Sequence, residues 1–243
     1  MSTDLPNPPA PNPPMLQPAG PMSFVQTWRD ALTKPSEQTF ARIASSPNAT
    51  ATTAFIWIFI ATLVQFFVSF LVGNAGQAQL LRQLGAGQNL PNPGLGSRLG
   101  TVICGAPIAA IIAVVFFAVF LGIMQLIARA FGGHGTFDQL AYAIASIVVP
   151  MNLIGVVFTL LAAIPFVGLC FAALSLILGI YALVLEIMAV KGVHQISWLG
   201  AAVSALALPL VLFACLACAA IFGLAALGPI IGNVFSSINN SLP

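Results

Sequence analysis

Five long apolar stretches follow one another along the chain: residues 51–72, 102–128, 139–163, 166–190 and 199–227. Together they contain a single charged side chain, that of Glu186. Because about 20 apolar residues in an α-helix cross the hydrocarbon core of a bilayer, each stretch is long enough for one crossing. The pattern predicts an all-α integral membrane protein with five transmembrane helices, whose membrane domain extends over residues 51–232.

The third and fourth stretches are separated by proline rather than by charge. A continuous helix over residues 139–190 would be about 78 Å long at 1.5 Å per residue, which is far too long for one crossing. Pro165 cannot continue a helix, and Gly168 relaxes the turn that follows. We therefore expect the chain to reverse direction at residues 164–168.

The residues outside the membrane domain fall into three segments. Residues 1–22 are rich in proline and predict a disordered tail, and residues 233–243 predict a polar C-terminal tail. Residues 23–50 predict amphipathic helices, the first of them capped by Ser23. An apolar stripe recurs every four residues and consists of Phe24, Trp28 and Leu32. The stripe suits the membrane interface or a partner's surface, and it equally suits a cap on the protein's own bundle.

Composition agrees with a membrane location, since 59% of the residues are hydrophobic and 5% are charged. A soluble domain has about 25% charged residues, so the bilayer is the expected surroundings of most of this chain. We predict a multi-pass protein of the inner (plasma) membrane. The formal net charge of +2, without any basic block, makes nucleic acid an unsuitable partner.

Lysine and arginine predict the orientation, because cytoplasmic loops carry an excess of both. With the N-terminus in the cytoplasm and the C-terminus outside, most basic residues lie on the cytoplasmic side. These are Arg29, Lys34, Arg42, Arg129 and Lys191, whereas Arg82 and Arg98 lie outside.

The residues that catalysis or metal binding would need are dispersed along the sequence. The two histidines lie in different loops, and the acidic residues are far apart. Cys215 and Cys218 form a CxxC pattern inside an apolar stretch without a second pair, which is typical of packing residues. We expect no enzymatic activity, no metal site and no cofactor. A disulfide between Cys104 and Cys170 is left open, because sequence spacing does not give their Cα separation.

Four polar residues inside the apolar stretches are the candidate functional residues: Gln65, Ser146, Asn152 and Glu186. A carboxylate in a bilayer is costly and marks a functional position by default. Glu186 lies about 7.5 Å by helical rise from Lys191 at the predicted membrane edge, so it can instead anchor its helix by pairing with a basic residue. Pro150 and Pro209 would kink the third and fifth spans close to these polar residues.

Two segments resemble each other. Residues 129–150 and 191–209 each begin with a basic residue and continue through a loop that contains glycine and histidine. Each then reaches a serine and a proline inside the next span. Descent from a duplicated helix pair and chance similarity explain the match equally well.

Several short motifs, taken in order, resemble the Yip family (Ypt/Rab-interacting membrane proteins), in particular its bacterial branch. They are Trp28…Lys34-Pro35…Phe40-Ala-Arg-Ile43, Phe131-Gly-Gly-His-Gly-Thr-Phe137 leading to Pro150, and Val193-His194-Gln-Ile-Ser197. The resemblance implies a five-helix membrane domain without catalysis. Eukaryotic members work with Rab GTPases in vesicle traffic, but their Asp-Leu-Tyr-Gly-Pro signature does not occur in this sequence. The resemblance therefore transfers neither Rab binding nor functional residues.

Two functions are compatible with these observations. The first is a non-enzymatic scaffold or accessory subunit, whose partners are the lipid bilayer and either another membrane protein or further copies of this chain. The second is a small permease or channel with a polar path near Pro150 and Pro209. A dry bundle with an exposed face of small residues favours the first function, and a water-filled polar cavity that reaches the membrane centre favours the second.

Overall fold

The computed structural model describes residues 22–83, 95–162, 167–207, 209–211, 214–219 and 221–222. Its main helices are α1 (Phe24–Thr33), α2 (Glu37–Ala44), α3 (Ala51–Gln83), α4 (Leu95–Ala130), α5 (Phe137–Ala162) and α6 (Val167–His194). Two further helical segments, α7 (Trp198–Ala207) and α8 (Pro209–Ala219), meet at an angle of 42°. In the part of the chain that the structure describes, every regular element is an α-helix, as predicted.

Four of these helices contain stretches that are long and apolar enough to cross a membrane: Ala51–Ser69, Val102–Ala130, Phe137–Leu161 and Ala173–His194. The bent pair of α7 and α8 is a fifth if both segments belong to one span. The prediction of an all-helical, multi-pass membrane protein is therefore confirmed.

The boundaries of the helices differ in places from those of the apolar stretches. α3 and α4 continue well beyond residues 51–72 and 102–128. The bend between α7 and α8 falls directly before Pro209, whereas Pro150 lies inside the continuous helix α5. The predicted reversal at Pro165 lies outside the described residues, as do both predicted tails except for Met22.

α5 is the centre of the bundle, because it packs against α3, α4, α6 and both short N-terminal helices. Every side chain from Leu140 to Ile147 on this helix is buried. Alternate positions in this segment carry alanine, which allows the neighbouring helices to approach closely. The core therefore lies near the N-terminal end of α5, close to α1 and α2.

The two short helices begin at well-formed caps. Ser23 Oγ accepts a hydrogen bond from the N–H of Gln26 at 3.3 Å, which confirms the predicted cap of α1. Ser36 Oγ accepts one from the N–H of Thr39 at 3.1 Å and caps α2 in the same way.

Both short helices are fixed to the bundle by side-chain contacts. Phe40 and Ile43 of α2 are fully buried, and α2 packs on α5 and α6. The hydroxyl of Tyr181 on α6 donates to the carbonyl of Leu32 on α1 at 2.6 Å. We call the end of the bundle that carries α1, α2 and the loops at residues 131–136 and 195–197 the α1–α2 end.

Candidate functional site

Two of the four predicted polar residues are satisfied within their own helices. Ser146 is fully buried, and its hydroxyl donates to the carbonyl of Ala143 at 2.6 Å. Gln65 is half-buried, and its side-chain amide donates to the hydroxyl of Ser69 at 3.3 Å. Neither side chain is directed into a site shared with the other candidates.

A small cavity lies between α5 and α6 and has a volume of about 190 Å³. Asn152 is the one predicted polar residue that lines this cavity. Ser175, Gly155 and Gly179 also line it. The remaining wall is formed by apolar side chains. The cavity is therefore mainly apolar, with two polar groups.

Glu186 is half-buried on α6, and Lys191, one of the basic residues with which it could pair, is engaged elsewhere. The ammonium of Lys191 lies 2.5 Å from Glu37 Oε2 on α2. The same group lies 4.6 Å from the centre of the Trp198 ring, which is a cation–π contact. Lys191 thus connects α6 to α2 and to the start of α7 rather than to Glu186.

The predicted apolar stripe of α1 packs on the protein's own bundle along most of its length. Trp28 is half-buried and meets the Trp57 ring edge-on at a centroid distance of 5.4 Å. Leu32 is also half-buried against the core. In contrast, Phe24 is 57% exposed and Val25 beside it is 59% exposed. On α1, the apolar surface that remains for lipid or a partner is therefore at the N-terminal end.

An apolar groove of about 240 Å³ beneath α1 shows where this helix lies. It is lined by Phe24 and Trp28 of α1 together with Trp57 and Val64 of α3. Val64 is about 20 Å along α3 from Ala51 at 1.5 Å per residue. α1 therefore lies along the flank of the bundle, beside the apolar span of α3.

An ion cluster surrounds Asp30, whose side chain is 3% exposed. Arg42 Nη2 donates to Asp30 Oδ2 at 3.0 Å. Arg29 Nη2 and Lys34 Nζ lie 3.6 and 3.7 Å from Asp30 Oδ1, and this oxygen has no hydrogen-bond donor among the described residues. Three cations thus surround one carboxylate, and positive charge remains in excess.

The loop between α4 and α5 closes over His194, whose side chain is fully buried. The N–H of His134 donates to the carbonyl of His194 at 3.4 Å, and the amide of Gln125 donates to the carbonyl of Gly135 at 2.8 Å. A Cβ atom at Gly133 would lie 2.7 Å from His194 Nδ1, so this close packing requires glycine. His134 itself is exposed, and the two imidazoles occupy different surroundings.

In the described part of the chain, the side chains that could bind a metal ion are not clustered. Within the described ranges, no three His, Cys, Asp or Glu side chains lie close enough to hold a metal ion. Cys104 and Cys170 are free thiols, so the disulfide left open above is not formed in this structure. Cys215 and Cys218 are also free thiols and are exposed on the surface of α8.

The residue pattern indicates the ion cluster only in part and does not indicate the burial of His194. Asp30 and Lys34 are one helical turn apart, a spacing at which opposite charges attract. Arg42 joins the cluster because the connection at Pro35 turns α2 back toward α1, and the charge pattern does not contain that geometry. The burial of His194 depends on a loop that is distant in sequence.

Comparison with known proteins supplies the family. The family model described as the Yip1 domain matches residues 29–220, a range that begins inside α1 and extends past α8. No curated protein and no solved structure matches the chain. Because the matched range is well over half of the chain, the protein belongs to the Yip1 domain family, as its motifs predicted.

Proposed function

We propose that the chain is a non-enzymatic scaffold or accessory subunit of a complex in the inner (plasma) membrane. The observation that carries this proposal is the uneven distribution of specific contacts. Ion pairs, aromatic contacts and close glycine packing are concentrated at the α1–α2 end, whereas Gln65 and Ser146 are satisfied locally. An end that is held together by many specific contacts suits a protein that works by binding a partner.

The partner in this proposal is another membrane protein or a second copy of the chain, bound at the exposed end of α1. Phe24 and Val25 are adjacent, apolar and outward-facing on a helix that is otherwise held to the bundle. Because α1 is not itself a membrane span, we assign its exposed apolar surface to a partner rather than only to lipid. Trp28 is a poor choice for a test, because its loss would remove packing on Trp57 and destabilise the chain itself.

Purification in mild detergent, followed by identification of the co-purifying proteins, tests this proposal. Phe24→Ala combined with Val25→Ala should release the partner and lower the thermal midpoint of the chain less than Trp28→Ala does, because Phe24 contacts the Trp28 ring but is 57% exposed. Leu176→Ala with Ile177→Ala is the matched control, because these adjacent α6 residues are also exposed and apolar. Equal partner recovery from both double variants and the wild type would remove α1 as the docking site.

The cavity beside Asn152 favours a permease or channel as a second candidate. Its test needs no known substrate: Asn152→Cys is exposed to a membrane-impermeant thiol reagent in a chain whose own cysteines are replaced by alanine. A scaffold predicts that this thiol reacts no faster than one at the lipid-facing Ile177. A permease predicts fast reaction, which Gly179→Leu should block, because a Cβ at Gly179 meets nothing within 4 Å and the added side chain would fill the cavity.

The same cysteine-free chain tests the proposed orientation, with the N-terminus in the cytoplasm and the C-terminus outside. A cysteine at Gln88 should react in intact cells, and one at His134 only after the membrane is permeabilised. His134 is a suitable position because it is exposed, whereas a Cβ at Gly135 would lie 2.6 Å from Val193 Cγ1. The reverse pattern of reactivity would invert the orientation.

A further inference from the structure

We propose that the ion cluster on α1 and α2 binds the phosphate of an anionic phospholipid in the membrane leaflet that surrounds α1. The cluster consists of Arg29, Lys34 and Arg42 around the buried carboxylate of Asp30. The three cationic side chains are 63%, 65% and 45% exposed, so they remain accessible while they contact Asp30. One carboxylate neutralises one cation, and two positive charges are left for a ligand.

The position of α1 selects a lipid as this ligand. The helix lies on the flank of the bundle, where Phe24 shares an apolar groove with Ile60 and Val64 of the α3 span. Tyr181, which lies well inside the α6 span, donates to Leu32 near the other end of α1. A cation cluster held beside membrane-crossing helices faces lipid headgroups before it meets any soluble anion.

Apolar and basic side chains occupy different parts of α1. Phe24 and Val25 are exposed at the N-terminal end, Arg29 follows about one turn later, and Lys34 is the C-cap. Apolar groups belong at the level of the acyl chains, and the long basic side chains reach the headgroups. An arginine guanidinium donates two parallel hydrogen bonds to phosphate oxygens, which a lysine ammonium cannot do.

The neighbouring acids do not cancel the excess charge. Glu37 is paired with Lys191, and Asp138 accepts a hydrogen bond from the N–H of Ala51 at 2.8 Å. In the described ranges, Asp30 is the one acid in contact with the cluster. A lipid with net negative charge therefore fits the site, whereas a zwitterionic lipid brings its own cation and fits poorly.

The test is native mass spectrometry of the purified full chain in detergent with equal amounts of phosphatidylglycerol and phosphatidylcholine that carry identical acyl chains. The wild type should retain phosphatidylglycerol preferentially. Arg29→Gln should lower that preference about fivefold, the factor that corresponds to one basic side chain at an anionic surface. Arg29→Gln with Lys34→Gln should abolish it, while the hydrogen bond between Arg42 and Asp30 keeps the buried carboxylate paired.

Arg129→Gln is the matched control, because Arg129 is also an exposed arginine at the α1–α2 end but lies outside the cluster. It should leave lipid selectivity unchanged. Equal retention of the two lipids by the wild type would overturn the proposal. So would a loss of lipid selectivity in Arg129→Gln equal to that in Arg29→Gln, because selectivity would then depend on the overall charge of the protein. Displacement of phosphatidylglycerol by equimolar inorganic phosphate would also overturn the proposal. The same holds if an acidic protein displaces the lipid and occupies the cluster.

Discussion

Two connections at the α1–α2 end have similar sequences and different surroundings. The first runs from Arg129 through His134 to α5, and the second runs from Lys191 through His194 to α7. His134 lies in a loop as predicted, whereas His194 is the last residue of α6. Arg129 and His134 are exposed, whereas Lys191 is paired with Glu37 and His194 is fully buried. Similar motifs therefore do not have similar roles in this bundle.

The difference has two structural causes: the loop at residues 131–136 closes over His194, and α2 packs beside Lys191. α2 packs against the end of α6, and a Cβ at Gly192 would overlap the carbonyl oxygen of Glu37 and lie 3.1 Å from Phe40 Cβ. In the first loop, Gly132 has a φ of +84° and no atom within 4 Å of an added Cβ, and the close contacts of Gly133 are with His194 and Ala128 rather than with α2. Contact with α2 therefore distinguishes two segments that are alike in sequence, whether or not they descend from a duplication.

The largest difference is expected between the two histidines. His194→Ala would leave a cavity beneath the loop of residues 131–136 and cost about 2–3 kcal/mol of unfolding free energy, a fall in Tm of about 5–10 °C. His134→Ala alters an exposed side chain and should change stability by less than about 0.5 kcal/mol. Thermal unfolding of both variants in the same detergent measures this. Equal losses of unfolding free energy in the two variants would mean that the two histidines are equally packed, and would contradict the difference described above.

The close contact at Gly192 gives the next largest effect. Gly192→Ala forces α2 away from α6 and should cost about 1–3 kcal/mol, even though alanine favours the helix. Gly179→Ala on the same helix meets nothing within 4 Å and should be neutral or stabilising by up to about 1 kcal/mol. Gly192→Ala should lower the thermal midpoint, and Gly179→Ala should leave it unchanged or raise it. A stabilised Gly192→Ala variant would show that α2 does not press on this position.

Much of the fold was predictable, because the thickness of the hydrocarbon core sets the length of an apolar helix. The spans that contain residues 51–69 and 137–161 follow from this argument, and so does the cap at Ser23. The extension of α3 to Gln83 was not predictable in the same way, since a helix need not end where its apolar residues end.

The site was less predictable than the fold, because its contacts join residues that are distant in sequence. Tyr181 reaches Leu32, and Asp138 caps the start of α3 at Ala51. The hydropathy pattern identifies Asn152 and Glu186 as unusual because they are polar residues inside a span. It does not show which side chains they contact in the folded protein. Composition and spacing identified which residues are exceptional, and tertiary packing determined which of them meet.

The smallest effect concerns the two basic residues that begin these loops. Lys191→Gln removes the ion pair with Glu37 and the contact with Trp198. Because the Glu37 side chain is 52% exposed, solvent screens the pair and the loss should be about 0.5–1 kcal/mol. Arg129→Gln should cost almost nothing.

A double-mutant cycle with Glu37→Gln separates the two contributions, since the coupling between Glu37 and Lys191 should fade in high salt while the contact with Trp198 persists. If Arg129→Gln destabilised the chain as much as Lys191→Gln, α2 would not be what distinguishes the two loops.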